Sequence, residues 1–331
     1  MPSKSLAALL KEYEDYTSFG DQERERHYFP SGILALNYIV ADNNGKGIPG
    51  GSIVQLLGEP THGKSTIALD YIAEAQKTKL KEIEIPDRKG TRIINAAIID
   101  FEHSFDKKYA ELLGVDTSKL FVISPEYAEN GFNLAEGLLQ AGLQIMVVDS
   151  VGMLVSASEE DKDFNDNEKI GSEAKVLGRF LKRANGLVDV HNSVLFIINQ
   201  YRANLSPMAR SDKKPYGARI LQYAVKITIK VTRIGEKDGR IDTELFVEKT
   251  KLGQGKLKAH FDFLSGQGID KQGHLLTLAA ESGIVGKNKG WYDYNGIKAN
   301  GIENSIEKFP MTEIEQKLKD VLSNGEAENQ D

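Results

Sequence analysis

The chain has 331 residues and no cysteine. Disulfides, thiolate metal sites and thiol catalysis are therefore excluded, and the composition fits a reducing compartment. Any run of 18 or more apolar residues is also missing, and Met1-Pro2-Ser3-Lys4 opens without the apolar stretch of a signal peptide. No membrane-spanning helix or leader is expected, and the chain reads as cytoplasmic. Neither an internal repeat nor a low-complexity tract is present. Positive charge is not in excess either, since the formal net charge is −6. That sum hides a lopsided distribution. From Gln200 to His260 there are 14 Lys and Arg against 6 Asp and Glu. One basic region on an acidic body is what an electrostatic footprint for phosphates requires, although a solvated basic sheet face has the same composition.

What is present is ordinary for a globular chain: 40% hydrophobic and 27% charged residues, at a length that suits one large α/β domain with smaller appendages. Leu6, Leu9, Leu10 and Tyr13 put an apolar stripe on a helix too short to stand alone. With the polar stretch Ser18 to His27 it forms an expected arm over residues 1–27. The core is expected over 28–268. Its strands fall at Ser52 to Leu57, Asn95 to Asp100, Leu120 to Ser124, Ile145 to Asp149 and Ser193 to Asn199. Such apolar strands, separated by helical patterns, indicate a mostly parallel sheet covered on both faces. Val225, Ile227, Ile229 and Val231 alternate with Lys226, Thr228, Lys230 and Thr232, and beyond the turn at Gly235 to Gly239 a second strand covers Ile241 to Lys249. That pattern predicts an antiparallel hairpin with one wet face. A small C-terminal α+β domain is expected over 269–323 and a disordered polar tail over 324–331.

The most informative stretch is Gly58-Glu59-Pro60-Thr61-His62-Gly63-Lys64-Ser65, which fits G-x-x-x-x-G-K-[ST] between an apolar strand and an amphipathic helix. The glycines fall where a strand turns into a helix N-terminus, so unpaired N–H groups and the helix dipole face an anion. Lys64 can reach the β- and γ-phosphates of a nucleoside triphosphate, and the Ser65 hydroxyl can ligate a bridging magnesium. Such a loop needs a second carboxylate for the metal and a group that activates water. Met146-Val147-Val148-Asp149 is an apolar strand ending in a carboxylate at the sheet edge, and Ile98-Ile99-Asp100-Phe101-Glu102 supplies another, with Glu102 the candidate for polarising water. Either acid alone would read as a helix cap or strand-end turn residue. Phe196-Ile197-Ile198-Asn199-Gln200 stops on a polar pair, and a long basic connection, Tyr201 to Ala218, follows. Gln200 could sense the γ-phosphate and order that loop, or it could simply be a satisfied strand-end residue.

In their order these segments resemble bacterial or bacteriophage RecA-type recombinases. The resemblance rests on Ser31 to Asn37, the phosphate loop Gly58 to Thr66, Ile98 to Asp106, Val147 to Val151, Phe196 to Gln200 and Gly290-Trp291-Tyr292. It implies a P-loop NTPase core of RecA type that binds ATP and Mg2+, forms filaments on single-stranded DNA, pairs it with homologous duplex and exchanges strands, with DNA-stimulated hydrolysis. Single-strand-binding and mediator proteins are the further partners it suggests. By the same resemblance Lys64, Ser65 and Thr66 hold phosphate and metal, Glu102 activates water, Asp149 supports the metal, Gln200 couples nucleotide to DNA, and Asp106 and Tyr109 lie near the adenine. Lys249 and Lys251 match a pair that reaches the ATP of the adjacent protomer, where positive charge in trans stabilises the transition state. DNA-facing loops are expected at Asp161 to Gly171 and Tyr201 to Ala218. Lys175, Lys182 and Arg183 follow the first, and Arg202, Arg210, Lys213, Lys214 and Arg219 lie in or beside the second, positioned to neutralise phosphates.

The chain departs from the family pattern in places. Its first loop is acidic, Asp161-Lys162-Asp163-Phe164-Asn165-Asp166, Gly217 is followed by Ala218 where cellular members carry a glycine pair, and a charged insertion spans Lys79 to Arg92. Such divergence suggests a phage-encoded or otherwise divergent member. A ring helicase motor on the same core, and an ATP-binding accessory paralogue, are the competing readings. The N-terminal arm and Trp291-Tyr292 oppose the first, and the intact Lys64, Glu102 and Asp149 oppose the second.

Overall fold

A computed structural model describes residues 11, 25–41, 45–87, 90–159, 172–203 and 213–327. The stripe Leu6 to Tyr13, the acidic loop Asp161 to Gly171, Arg210 and residues 328–331 lie outside the described residues.

Nine strands form the main sheet: β1 (Ser52–Leu57), β2 (Ala96–Asp100), β3 (Leu120–Ile123), β4 (Ile145–Asp149), β5 (Val194–Asn199), β6 (Ile227–Lys237), β7 (Arg240–Thr250), β8 (Lys258–Leu264) and β9 (Gly268–Ile269). Their order is β9-β8-β7-β6-β1-β5-β4-β2-β3. From β6 to β3 every pairing is parallel, and β7, β8 and β9 add antiparallel at one end. The helices are α1 (Leu34–Ile39), α2 (Lys64–Gln76), α3 (Lys107–Leu112), α4 (Ala128–Gln140), α5 (Ser172–Val190), α6 (Ala218–Ala224), α7 (Lys271–Glu281), α8 (Ile302–Lys308) and α9 (Met311–Ala327).

All six positions of β1 and of β5 are buried, as continuous apolar runs in a doubly covered sheet require. Alternate side chains serve opposite layers. Val54 and Phe196 join α2, where Tyr71 lies 4.7 Å from the Phe196 ring, while Ile53 and Ile197 join α4 and α5, whose Phe132 and Phe180 stack at 4.4 Å. Because β1, β2, β4 and β5 run parallel, Leu57, Asp100, Asp149 and Asn199 all finish at one edge. In open α/β sheets that edge is where ligands bind.

The expected hairpin is β6–β7, but β6 also pairs parallel with β1, Ile227 opposite Val54 and Lys230 opposite Leu57. The hairpin therefore extends the core sheet rather than standing apart, and the sheet ends at Ile269, one residue past the expected limit. Part of the charged insertion folds as its own antiparallel hairpin, Ile83–Asp87 with Gly90–Ile94. The C-terminal part packs a three-stranded sheet against α7, α8 and α9 around Leu276, Tyr292, Tyr294, Phe309 and Ile314. Helix α9 runs from Met311 through Ala327. Among the described residues no helix is long and apolar enough to cross a membrane.

Candidate nucleotide site and the basic ribbon beside it

Between β1 and α2 the chain has no room for side chains at two points. A Cβ on Gly58 would come 2.4 Å from the Val231 carbonyl oxygen, and one on Gly63 would come 2.3 Å from the Phe263 ring. Gly63 also holds φ at 85° and caps α2 without any side-chain hydrogen bond, leaving the first helical N–H groups for an anion. The loop thus lies on β6 and β8, and His62 Nδ1 sits 3.3 Å from the same Val231 carbonyl. Lys64 is buried, and its Nζ donates to the Glu59 carbonyl at 2.6 Å. Burial pushes its pKa down, opposed by Asp149, Glu102 and Glu59.

Ser65 Oγ donates to Asp149 Oδ2 at 2.6 Å. The Asp149 carboxyl is pushed up to about 6, chiefly by burial, with Glu102 and Asp100 adding to the rise and Ser65 and Lys64 opposing it. A hydroxyl and a carboxylate in contact, crowded by further carboxylates, form a hard-oxygen donor set that a divalent cation would relieve. These residues fit magnesium.

Glu102 is delivered by a turn. The buried Asp100 carboxylate accepts from Ser104 N at 3.2 Å and Phe105 N at 2.9 Å, closing the chain beyond β2. Glu102 Oε1 then accepts two hydrogen bonds, one from Ser150 Oγ and one from Gln200 Nε2 at 3.0 Å. Lys64, Ser65, Glu102, Asp149 and Gln200, scattered over the sequence, are therefore gathered at one sheet edge. Ser150 was not singled out from the sequence, where a serine after a strand carries no spacing signal. Asp106 caps α3 by accepting from Lys108 N and Tyr109 N, the ordinary role of an acid just before a helix. It also borders a 90 Å³ cavity with Ser65, Asp100, Tyr109 and Asp149. Tyr109 OH is 3.0 Å from Thr66 Oγ1, and its ring borders a second cavity of 170 Å³ with Gly63, Phe263, Ser265 and Gly266.

Past Gln200 the second loop starts as a two-stranded ribbon, Tyr201–Ala203 against Lys213–Pro215. Its cations are partly engaged. Arg202 stacks 4.4 Å above the Tyr216 ring and donates to the Gly152 carbonyl, and Lys213 pairs with Glu59 of the phosphate loop at 2.6 Å. Lys214 is exposed. On α5, Arg183 is paired with Glu136 at 2.9 Å, whereas Lys175 and Lys182 border a 770 Å³ groove shared with Arg179, Arg219, Lys251 and the 73% exposed Tyr223. Among the described residues no carboxylate lines that groove.

Lys249 and Lys251 are not at the phosphate loop of their own chain. Lys249 Nζ donates to the Val225 carbonyl at 2.8 Å and to that of Gln222, and Lys251 Nζ to the Tyr223 carbonyl at 3.3 Å. Residues 222–225 lead into the amino end of β6, whereas the phosphate loop leaves the carboxyl end of β1, parallel to it. The length of a six-residue strand, about 20 Å, separates these two edges. Burial and the neighbouring Lys251 hold the Lys249 pKa down.

A sequence model described as the RecA N-terminal domain matches residues 14–270. The curated relatives that resemble the chain include Protein RecA of Aquifex aeolicus (strain VF5), 33% identical over 88% of this chain and 83% of that protein. Protein RecA of Bacteroides thetaiotaomicron is 32% identical over 89% of the chain and 88% of the relative. Protein RecA of Cutibacterium acnes is 31% identical over 98% and 94%.

Proposed function

The chain belongs to the RecA family, and on that premise we propose how its own residues carry the family's chemistry, DNA-dependent hydrolysis of ATP coupled to homologous pairing and strand exchange. Lys64 exchanges the Glu59 carbonyl for β- and γ-phosphate oxygens, while the N–H groups at the start of α2 cradle the rest. Ser65 and Asp149 are the residues that would hold magnesium, which would supply positive charge against the phosphate oxygens. Glu102 accepts the proton of the attacking water, its carboxylate aimed by Ser150 and Gln200. Tyr109 covers the adenine beside Gly266.

One observation carries the coupling to DNA: the Gln200 amide donates to the catalytic carboxylate, and the next residues are the ribbon that opens the basic loop. A change in the charge or position of Glu102 is therefore passed to the loop, and DNA on the loop is passed back. Lys249 and Lys251, a strand's length from their own phosphate loop, serve the ATP of the neighbouring protomer, and the groove around Lys251, lined by Lys175, Arg179, Lys182 and Arg219, forms part of that face. Filaments on single-stranded DNA, homologous duplex, and single-strand-binding and mediator proteins are the partners this reading implies. The test is ATP hydrolysis with and without single-stranded DNA, filament formation being followed in the same samples. Hydrolysis stimulated only where filaments form supports it, and turnover indifferent to DNA overturns it.

A further inference from the structure

The second residue of the phosphate loop holds two lysines at once. Glu59 accepts Lys64 Nζ at its carbonyl, at 2.6 Å, and Lys213 Nζ at its carboxylate, also at 2.6 Å, across 154 residues of sequence. Lys213 stands opposite Ala203 in the ribbon, so it belongs to the returning strand, whereas Gln200 precedes the outgoing one. Tyr216 N donates to the Gln200 carbonyl at 3.1 Å, and Asn199 Nδ2 to the Tyr216 carbonyl at 2.9 Å, which ties the ribbon's base to β5. Arg202 ties the outgoing strand to the Gly152 carbonyl, and Lys213 ties the returning strand to Glu59, so the two strands are held at different points and the second tie fixes the ribbon's tilt.

We infer that Glu59, through its ion pair with Lys213, is a positioning residue that passes nucleotide occupancy of the phosphate loop to the DNA-facing ribbon by a route separate from Gln200. This rests on the functional reading above. When Lys64 turns to phosphate oxygens it releases the carbonyl of the same residue whose carboxylate steers the ribbon, so the Glu59 backbone and Lys213 move together. The pair is exposed, with side chains 36% and 62% accessible. It can therefore modulate the coupling by about two- to five-fold and cannot gate it.

The measurable quantity is the factor by which a non-hydrolysable ATP analogue tightens binding of a short single-stranded oligonucleotide, since a contact that Lys213 makes with DNA in both states cancels from this ratio. Glu59→Gln and Lys213→Gln should each reduce the factor about two- to five-fold, the double variant should lose no more than either one, and the charge-swapped Glu59→Lys, Lys213→Glu protein should recover most of it. Unchanged factors in both single variants, losses that multiply in the double variant, or a swap without recovery would overturn the inference. Gln200→Ala is the control for the other route and should reduce the factor further in the Glu59→Gln background. An unaltered protein whose DNA binding ignores the analogue would sink the functional reading itself, a result distinguishable from failure of the ion pair alone.

Discussion

At the scale of the residue, Glu102 is held in place by two donors rather than by burial. Ser150 and Gln200 share its Oε1, so the carboxylate is oriented from one side. Glu102→Gln keeps size and hydrogen-bonding capacity and removes the base. ATP and DNA binding should persist while hydrolysis falls by about two to four orders of magnitude, the usual worth of a general base. Near-normal turnover would remove Glu102 from that role. Ser150→Ala should cost less, because one clamp remains, and should lower kcat more than it raises KM. Lys64→Ala should weaken nucleotide binding as well as abolish turnover, since the phosphates lose their nearest cation.

At the scale of the element, the ribbon and α7 behave differently towards their solvent. Lys214 is exposed on the ribbon, so Lys214→Gln should weaken single-stranded DNA binding and lower the slope of log affinity against log salt by about 0.7, the value for one lost phosphate contact. An unchanged slope would place the DNA elsewhere. Helix α7 instead buries His274, whose Nε2 accepts from Ala35 N at 3.3 Å. Burial pushes that imidazole down to about 4, against the opposing His260 carbonyl and Asp270. Between about 4 and the ordinary histidine value of about 6.5 the unfolded chain binds the extra proton. The contribution of His274 is thus complete above that window and is lost as pH falls through it, amounting to no more than about 3 kcal/mol. Melting at pH 7.5 and pH 5 should show a smaller loss of Tm in His274→Gln than in the unaltered protein. An equal loss in both would assign the acid sensitivity to other groups.

At the scale of the whole molecule, the phosphate loop and the lysine pair proposed to serve it in trans sit at opposite sheet edges. Lys249→Ala with Lys251→Ala should leave a protein that binds ATP but fails in DNA-stimulated hydrolysis, and Lys64→Ala should fail for the complementary reason. Co-assembled on DNA, the two should recover part of the activity, because some interfaces then join an intact phosphate loop to intact lysines. Mixed filaments without recovery at any ratio would leave both lysines as caps on the carbonyls of residues 222–225, the contacts they make within one chain.

The local order of the sequence determined the elements and the chemistry. Gly58 to Ser65 needs no partner to be read, because loop, strand and helix are contiguous, and the apolar strands ending in Asp100, Asp149 and Gln200 announce a parallel sheet with polar residues at one edge. What the sequence could not decide is which edge residues meet, because neighbouring strands are set by pairing between distant segments, such as Ile99 with Val148 and Leu57 with Lys230, and not by spacing. Ser150 acquires a role only when β4 lies beside β2, so that its hydroxyl reaches Glu102. Asp106 both caps α3 and borders the cavity beside Tyr109, a double placement that the sequence alone does not show. Lys213 also holds Glu59, a pairing that no pattern within either segment encodes. Lys249 is the clearest case: its two-residue spacing from Lys251 is visible in the sequence, but its distance from Lys64 is fixed only once β6 has paired parallel to β1, which carries the lysines to the edge opposite the phosphates.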